Sequence, residues 1–358
     1  MLVTVGLLIV LTVALSLVKF PYVIERPGPV ANTLGDVTIK GKTEPIIQIS
    51  GHETFQTDGE LNLLTVSLLG NPDDSVGWFD LLAAALDPTQ EILPMEQFYP
   101  TGVTPEDRAE ENKQEMTSSQ DLATAAALTQ LGIAFTQQVE VSAVSEQGPA
   151  NGLLQSGDII ESVNAVEVTS YQVLRELIEA NGTSKPAVFS VLRNGKSRDI
   201  AITPVEITEG DATSILIGVG VKTNFDFPFD VKIRVDEIGG PSAGLMFALG
   251  ITDKLTQSSL SDGRIISGTG TIDAAGSVGA IGGLPQKIVS ARRAESDLIF
   301  IPADQCAEVP VNEFQKIRVV PVATLNDAVD ALTELKRTDD FAQLPSCEST
   351  AQAESSAN

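Results

Sequence analysis

Twice in its second half the chain breaks on a Gly-Gly pair and restarts with proline and an apolar helical pattern, at "GGPSAGLMFALGITDKL" (239–255) and "GGLPQKIVSARR" (282–293). The glycines give a permissive turn, and proline suits the start of a helix because its missing N–H would find no intrahelical acceptor there. Leu245, Met246, Leu249 and Ile251 supply the apolar positions of a buried helix after the first break. Each restart carries a reactive group in its first turn, Ser242 in one and Lys287 in the other. At a helix start the backbone N–H groups lack intrahelical partners, so amides near Gly240 and Ser242 are candidates to hold an oxyanion. On the first stretch alone, an ordinary N-cap serine ahead of a core helix is the better explanation of the residues. The second stretch tips the balance. A lysine at a helix start opposes the helix dipole, and burial penalises its charged form, so both effects favour the neutral amine that acts as a base. The chain has a single histidine, His52, far upstream in "SGHETFQTDGEL", which makes a Ser-His arrangement the weakest reading.

The 358 residues are enough for two or three domains, and 42% hydrophobic content is that of a globular protein. A net charge of -25, from 48 acidic and 23 basic residues, argues against a nucleic-acid partner, which needs clustered cations. No GxxxxGK[ST] loop is visible, so no ATPase module is expected, and neither a cofactor nor a metal is called for.

Residues 2–18 carry no charge and are rich in Leu and Val. As a helix they would span roughly 26 Å, near the lower limit for crossing a bilayer. A retained anchor is favoured over a cleaved signal peptide, because the apolar run continues past the weak small-residue match at Ala14-Leu15-Ser16 and "KFPYVIERPGP" offers no cleavage pattern. No Lys or Arg precedes the run, whereas Lys19 and Arg26 follow it, so charge leaves its orientation open. Cys306 and Cys347 are candidates for one disulfide if the chain is exported.

Beyond this segment, "ERPGPVANTLG" reads as a punctuated exit, "EPIIQIS" and "LNLLTVSLL" as strands, and 104–131 as a helix running into Leu131-Gly132. Residues 138–204 show strand patterning, a Gly-rich turn, a strand at "DIIESVNA", an amphipathic helix near Tyr171 and a hairpin through Arg193-Asn194-Gly195. "GPANGLLQSGDIIESVNAVEV", with Gly148 and Gly157-Asp158, resembles a PDZ domain. Such domains add extended peptides to a sheet edge, and by that resemblance Leu131-Gly132-Ile133 is the candidate carboxylate-binding loop. "LIFIPADQC" and "IRVVPVATL" read as buried strands, and "NDAVDALTELKR" as an amphipathic helix.

Ser242 in "GPSAG", Thr269 in "SGTGTI" and Lys287 in "GAIGGLPQK" are similar to the Ser-Lys proteolytic domain of Lon proteases, in blocks spread over 236–297. With the apolar N-terminus and the PDZ pattern, the whole resembles the membrane-anchored, PDZ-containing Lon-like proteases of the YlbL type, peptidase family S16. The resemblance implies a multidomain α+β chain: a transmembrane helix over 1–20, a β-rich region with a helical segment over 21–118, a β-sandwich or barrel-like PDZ domain over 119–205, a proteolytic α/β domain like the second domain of ribosomal protein S5 over 206–338, and a polar tail over 339–358. It implies a serine endopeptidase, with Ser242 as nucleophile, Lys287 as base and Thr269 orienting the lysine. Many Lon domains carry an acidic residue three positions before the serine. Here that position is Gly239, with Asp236 and Glu237 slightly earlier. The implied setting is ATP-independent cleavage of protein or peptide substrates outside the cytoplasm, in a homo-oligomer such as a hexameric ring. The alternative is a non-hydrolytic PDZ adaptor with an inactive Lon-like domain.

Overall fold

The computed structural model describes residues 19–209, 212–235, 238–310, 313 and 316–347. The chain forms two compact units, one from residues 1–133 and 229–358 together and the other from 134–228. Of the transmembrane helix expected over 1–20, residues 1–18 lie outside the described residues, and Lys19–Phe20 form a short strand instead. Among those described, no helix is long and apolar enough to cross a membrane. The helices are α1 (Trp78–Leu86), α2 (Pro105–Gln130), α3 (Tyr171–Asn181), α4 (Gly244–Leu255), α5 (Leu284–Arg293) and α6 (Leu325–Thr338).

The first unit is built on a six-stranded mixed sheet in the order Arg318–Val322, Leu298–Pro302, Ile265–Gly268, Glu60–Leu69, Tyr22–Asn32, Glu91–Pro94. The first four run parallel and the last two are antiparallel additions. Every residue of Leu298–Pro302 is buried, as a strand covered on both faces must be. The α5 side chains Leu284, Ile288 and Ala291 pack on Leu64, Ile299 and Ile301. On the other face Met246 of α4 lies against Gly268, where a side chain at the glycine would strike its sulfur. The residues 21–118 are therefore not a separate region, because two-residue-period strands from that segment supply half of this sheet. "ERPGPV" is not an exit either. It sits inside the strand Tyr22–Asn32, whose register shifts between Pro27 and Val30, a bulge that takes Pro29 out of the paired positions and where Gly28 lets the backbone pass Thr65 closely.

In the second unit the sheet runs Lys196–Ile202, Ala187–Arg193, Ile159–Val163, Thr136–Val144, Val219–Asp226, with the short strand Val166–Glu167 beside Ile159–Val163. The helix α3 is capped by Ser170, whose hydroxyl accepts the Val173 N–H, and buries Leu174 and Ile178 among Val139, Ile160, Phe189 and Ile202. Asn194 and Gly195, both at positive φ, make the tight turn between two strands in continuous register. Asp158 is buried and binds Arg193 through both carboxylate oxygens, 2.6 Å each, which ties the Gly-Asp turn to that hairpin. The unit extends past the 119–205 range expected from the sequence, because Val219–Asp226 completes its sheet as an edge strand.

Candidate active site

Ser242 lies half-buried in the turn that leads into α4. It precedes the helix rather than occupying its first turn: Ala243 is the N-cap, and the Gly244 N–H donates to the Pro241 carbonyl at 3.2 Å. The carbonyl of Ser242 accepts the Gly270 N–H at 2.9 Å and the Thr269 hydroxyl at 3.2 Å. Thr269, fully buried, therefore holds the main chain of the serine, and no hydrogen bond joins it to Lys287 among the described residues. That corrects the expected lysine-orienting role for its hydroxyl.

The turn is clamped from its other side by α2. The Asn112 carbonyl accepts the Gly240 N–H at 3.1 Å, and the Ser119 hydroxyl donates to the Pro241 carbonyl at 3.0 Å. The Gly240 amide is thereby spent and is not a free oxyanion donor. The N–H groups of Ser242 and Ala243 have no acceptor among the described residues, which leaves them as the candidate donors to an oxyanion. The same clamp explains Gly239, where a Cβ would come within 2.8 Å of the Asn112 side chain. Asp236 and Glu237 lie outside the described residues.

Lys287 sits one turn into α5, its N–H donating to the carbonyl of Gly283, the left-handed N-cap. The apolar packing of α5 buries the whole side chain to 2% exposure. Burial pushes its pKa down to about 8, against a smaller upward pull from Glu25. No carboxylate pairs with its amine among the described residues, nor does a hydrogen bond join it to Ser242.

Glu25 was not singled out by sequence. It is buried on the strand Tyr22–Asn32, its carboxylate lies where a side chain on Gly283 would go, and it makes no hydrogen bond among the described residues. Its pKa is raised, first by burial, then by Glu91 opposite it on the neighbouring strand, with Lys287 opposing. Val23, Ile24 and Glu25 are buried in succession, so no polar-apolar alternation marked Glu25 in the sequence, and the Pro-Gly pair that follows disguised the strand.

His52 is exposed, bonds the Glu53 carbonyl through Nδ1 and packs on Phe229 at 4.6 Å, away from these residues' partners. Cys306 and Cys347 are joined, with Cα atoms 5.3 Å apart. The loop Leu131-Gly132-Ile133 is no anion site. The Leu131 N–H goes to Ala127, the Gly132 N–H to Thr129 and the Ile133 N–H to Leu128, so this is a Schellman turn whose amides close the end of α2. In the second unit, the turn that enters the edge strand Val219–Asp226 carries Gly218 at positive φ.

A family model of the Lon protease (S16) C-terminal proteolytic domain matches residues 177–334, and one of the PDZ domain matches residues 112–203. The Lon protease of Azospirillum brasilense is 29% identical over 161 residues, covering 43% of this chain and 20% of that protein. The Lon protease of Heliobacterium modesticaldum is 32% identical over 124 residues, 32% of this chain and 15% of that protein. The chain thus spans about a fifth of the length of the curated relatives it matches. A PDZ domain of an SdrC-like protein from Listeria innocua aligns with 23% identity over 24% of this chain and 92% of that one, at a TM-score of 0.22. The chain carries the domain of a serine peptidase. More particularly, the two matches are to a PDZ domain and to a Lon-type, S16 proteolytic domain, and they overlap over residues 177–203.

Proposed function

We propose that the chain is a membrane-anchored, ATP-independent serine endopeptidase acting through Ser242 and Lys287. The observation that carries the reading is a buried lysine that forms no ion pair among the described residues, on the helix that follows the segment pinning the main chain of Ser242. A lysine with a pKa of about 8 is substantially neutral in mild base and can accept a proton. In the proposed reaction Ser242 Oγ attacks the scissile carbonyl and its proton passes to Lys287 Nζ. The oxyanion is received by the Ser242 and Ala243 N–H groups. Collapse breaks the C–N bond, and the leaving amine takes the proton from Lys287. Lys287 Nζ, neutral again, then takes a proton from a water that attacks the acyl-serine carbonyl; collapse breaks the C–Oγ bond, releases the acyl group as a carboxylic acid, and Lys287 returns the proton to Ser242 Oγ.

The PDZ unit is assigned the selection or gating of protein or peptide substrates, by strand addition at the free edge of Val219–Asp226. The uncharged run 2–18 supports an anchor, and the Cys306–Cys347 pair supports an oxidising compartment outside the cytoplasm. A ring of copies, suggested by the Lon resemblance, completes the proposal.

A fluorophosphonate probe tests the chemistry directly. Mass spectrometry should find it on Ser242, with labelling reduced at least about a hundredfold in Lys287→Met of unchanged circular dichroism. Labelling that ignores the lysine, or no labelling at Ser242, would contradict the dyad and favour a peptide-binding adaptor.

A further inference from the structure

The helix α1, "WFDLLAAAL", is apolar nearly all round. Its single charged residue, Asp80, is used as a cap and accepts the Gly77 N–H at 3.0 Å. The inner face packs Ala84 and Leu81 against Ile24, Val76, Phe20, Leu69 and Ile92. The outer face is where a surface helix normally carries its polar residues. Here it presents Phe79, 49% exposed, Leu82, 46%, and Leu86, 77%, at the i, i+3 and i+7 spacing of a single stripe. Trp78 packs against Phe79 with ring centres 4.2 Å apart and planes tilted by 36°, extending the stripe with an aromatic at its upper end. Exposing so much apolar surface on nine residues costs free energy unless something other than water covers it.

The chain itself indicates the cover. The strand Lys19–Phe20 pairs antiparallel with Val76–Gly77, Lys19 opposite Gly77, and the Lys19 amine donates to the Ser75 carbonyl at 2.9 Å. Paired strands lie about 5 Å apart, so the point where the uncharged run 2–18 joins the fold is fixed beside the residue that starts α1. We propose that the outer face of α1 lies in the interfacial layer of a lipid bilayer, seated there by the segment 2–18. This rests on the anchoring reading given above. Interfacial helices sink an apolar face to the boundary of headgroups and acyl chains, and Trp and Phe favour that depth. The charges around α1 are Asp73, Asp74, Asp80 and Asp87, against Lys19 and the Arg293 whose charge acts on Asp87, so acidic groups outnumber basic ones and the surface fits zwitterionic rather than anionic lipid.

Trp78 is the only tryptophan in the chain, which makes its emission a site-specific probe. The full chain is reconstituted into phosphatidylcholine vesicles, with or without bromine on the acyl chains near the headgroup, and flotation is followed beside Trp78 emission. The expected result is flotation with emission quenched at least about twofold by brominated lipid, and loss of most of that quenching in Leu82→Glu/Leu86→Glu, which still floats. Equal emission in the two vesicles while the chain floats overturns the proposal and leaves the anchor standing. So does quenching that survives the double substitution. Crosslinked pairs through Leu82 or Leu86 without bromine quenching would assign the face to a second copy instead. Failure to float overturns the anchor and this proposal together.

Discussion

At Lys287 two forces compete. Removal from water lowers the proton affinity of its amine, while the buried carboxylate of Glu25 restores part of it. The balance is what sets the working pH of a lysine base, and it gives a prediction of definite sign. Glu25→Gln removes the anion and keeps the shape, so the midpoint of kcat/KM against pH should move down, with activity at pH 7 rising about threefold to tenfold as more of the lysine becomes neutral. A pH–rate profile of the folded variant checks it; a midpoint that stays put or moves up would show that Glu25 acts on packing alone. Ser242, Thr269 and Lys287 could be singled out as candidates from the sequence because each stands in a short block whose glycines and prolines leave few conformations. Glu25 was not, because its effect on Lys287 comes from a strand brought beneath α5 from more than two hundred residues away in the chain.

Among the elements, α2 does more than fill one face of the sheet. Its Asn112 carbonyl and Ser119 hydroxyl hold the Gly240-Pro241 backbone, which fixes where the Ser242 amide points. Close approach leaves no room for a side chain at Gly239. Gly239→Asp, which restores the acidic residue common in Lon domains, should therefore push the turn off α2 and lower kcat by about tenfold or more, with KM little changed. Steady-state kinetics on a peptide substrate decide this, and unchanged or raised kcat would mean that the turn absorbs the side chain. The same helix shows where local pattern misleads. Leu131-Gly132-Ile133 has the composition of a carboxylate-binding loop, yet an α2 ending at Gln130 needs a left-handed residue and three donors for its last carbonyls, and those residues supply them. Strands and helices were otherwise visible from their periods, as in "LIFIP" and "NDAVDALTELKR".

For the whole molecule, the sequence order concealed the architecture. The first unit is assembled from both ends of the chain, with the second unit inserted between them in sequence, and a linear scan of composition cannot see that Glu60–Leu69 pairs with Ile265–Gly268. The strands of such a unit form only after a long loop closes, so covalent closure elsewhere matters to its stability. The Cys306–Cys347 bond joins residues 41 apart and ties the segment after α6 to the core beneath α5. Loop-entropy reasoning gives it about 4 kcal/mol. Cys306→Ala/Cys347→Ala should lower the Tm of the proteolytic unit by several degrees, measured by calorimetry, while an unchanged Tm would mean that the packing around Cys347 already holds that segment.

The central claim is that Lys287, as a neutral amine, activates Ser242. It is tested most directly by following cleavage of an unfolded protein without nucleotide from pH 6 to 10, for the parent chain, Ser242→Ala and Lys287→Ala. A lysine whose pKa is lowered to about 8 loses its proton as pH rises through that value, so the parent's rate should climb with a midpoint near pH 8 and level off above it. Both variants should be slower by about 10³-fold or more. Cleavage that persists in Lys287→Ala, or a parent rate that does not rise between pH 7 and 9, would contradict the account.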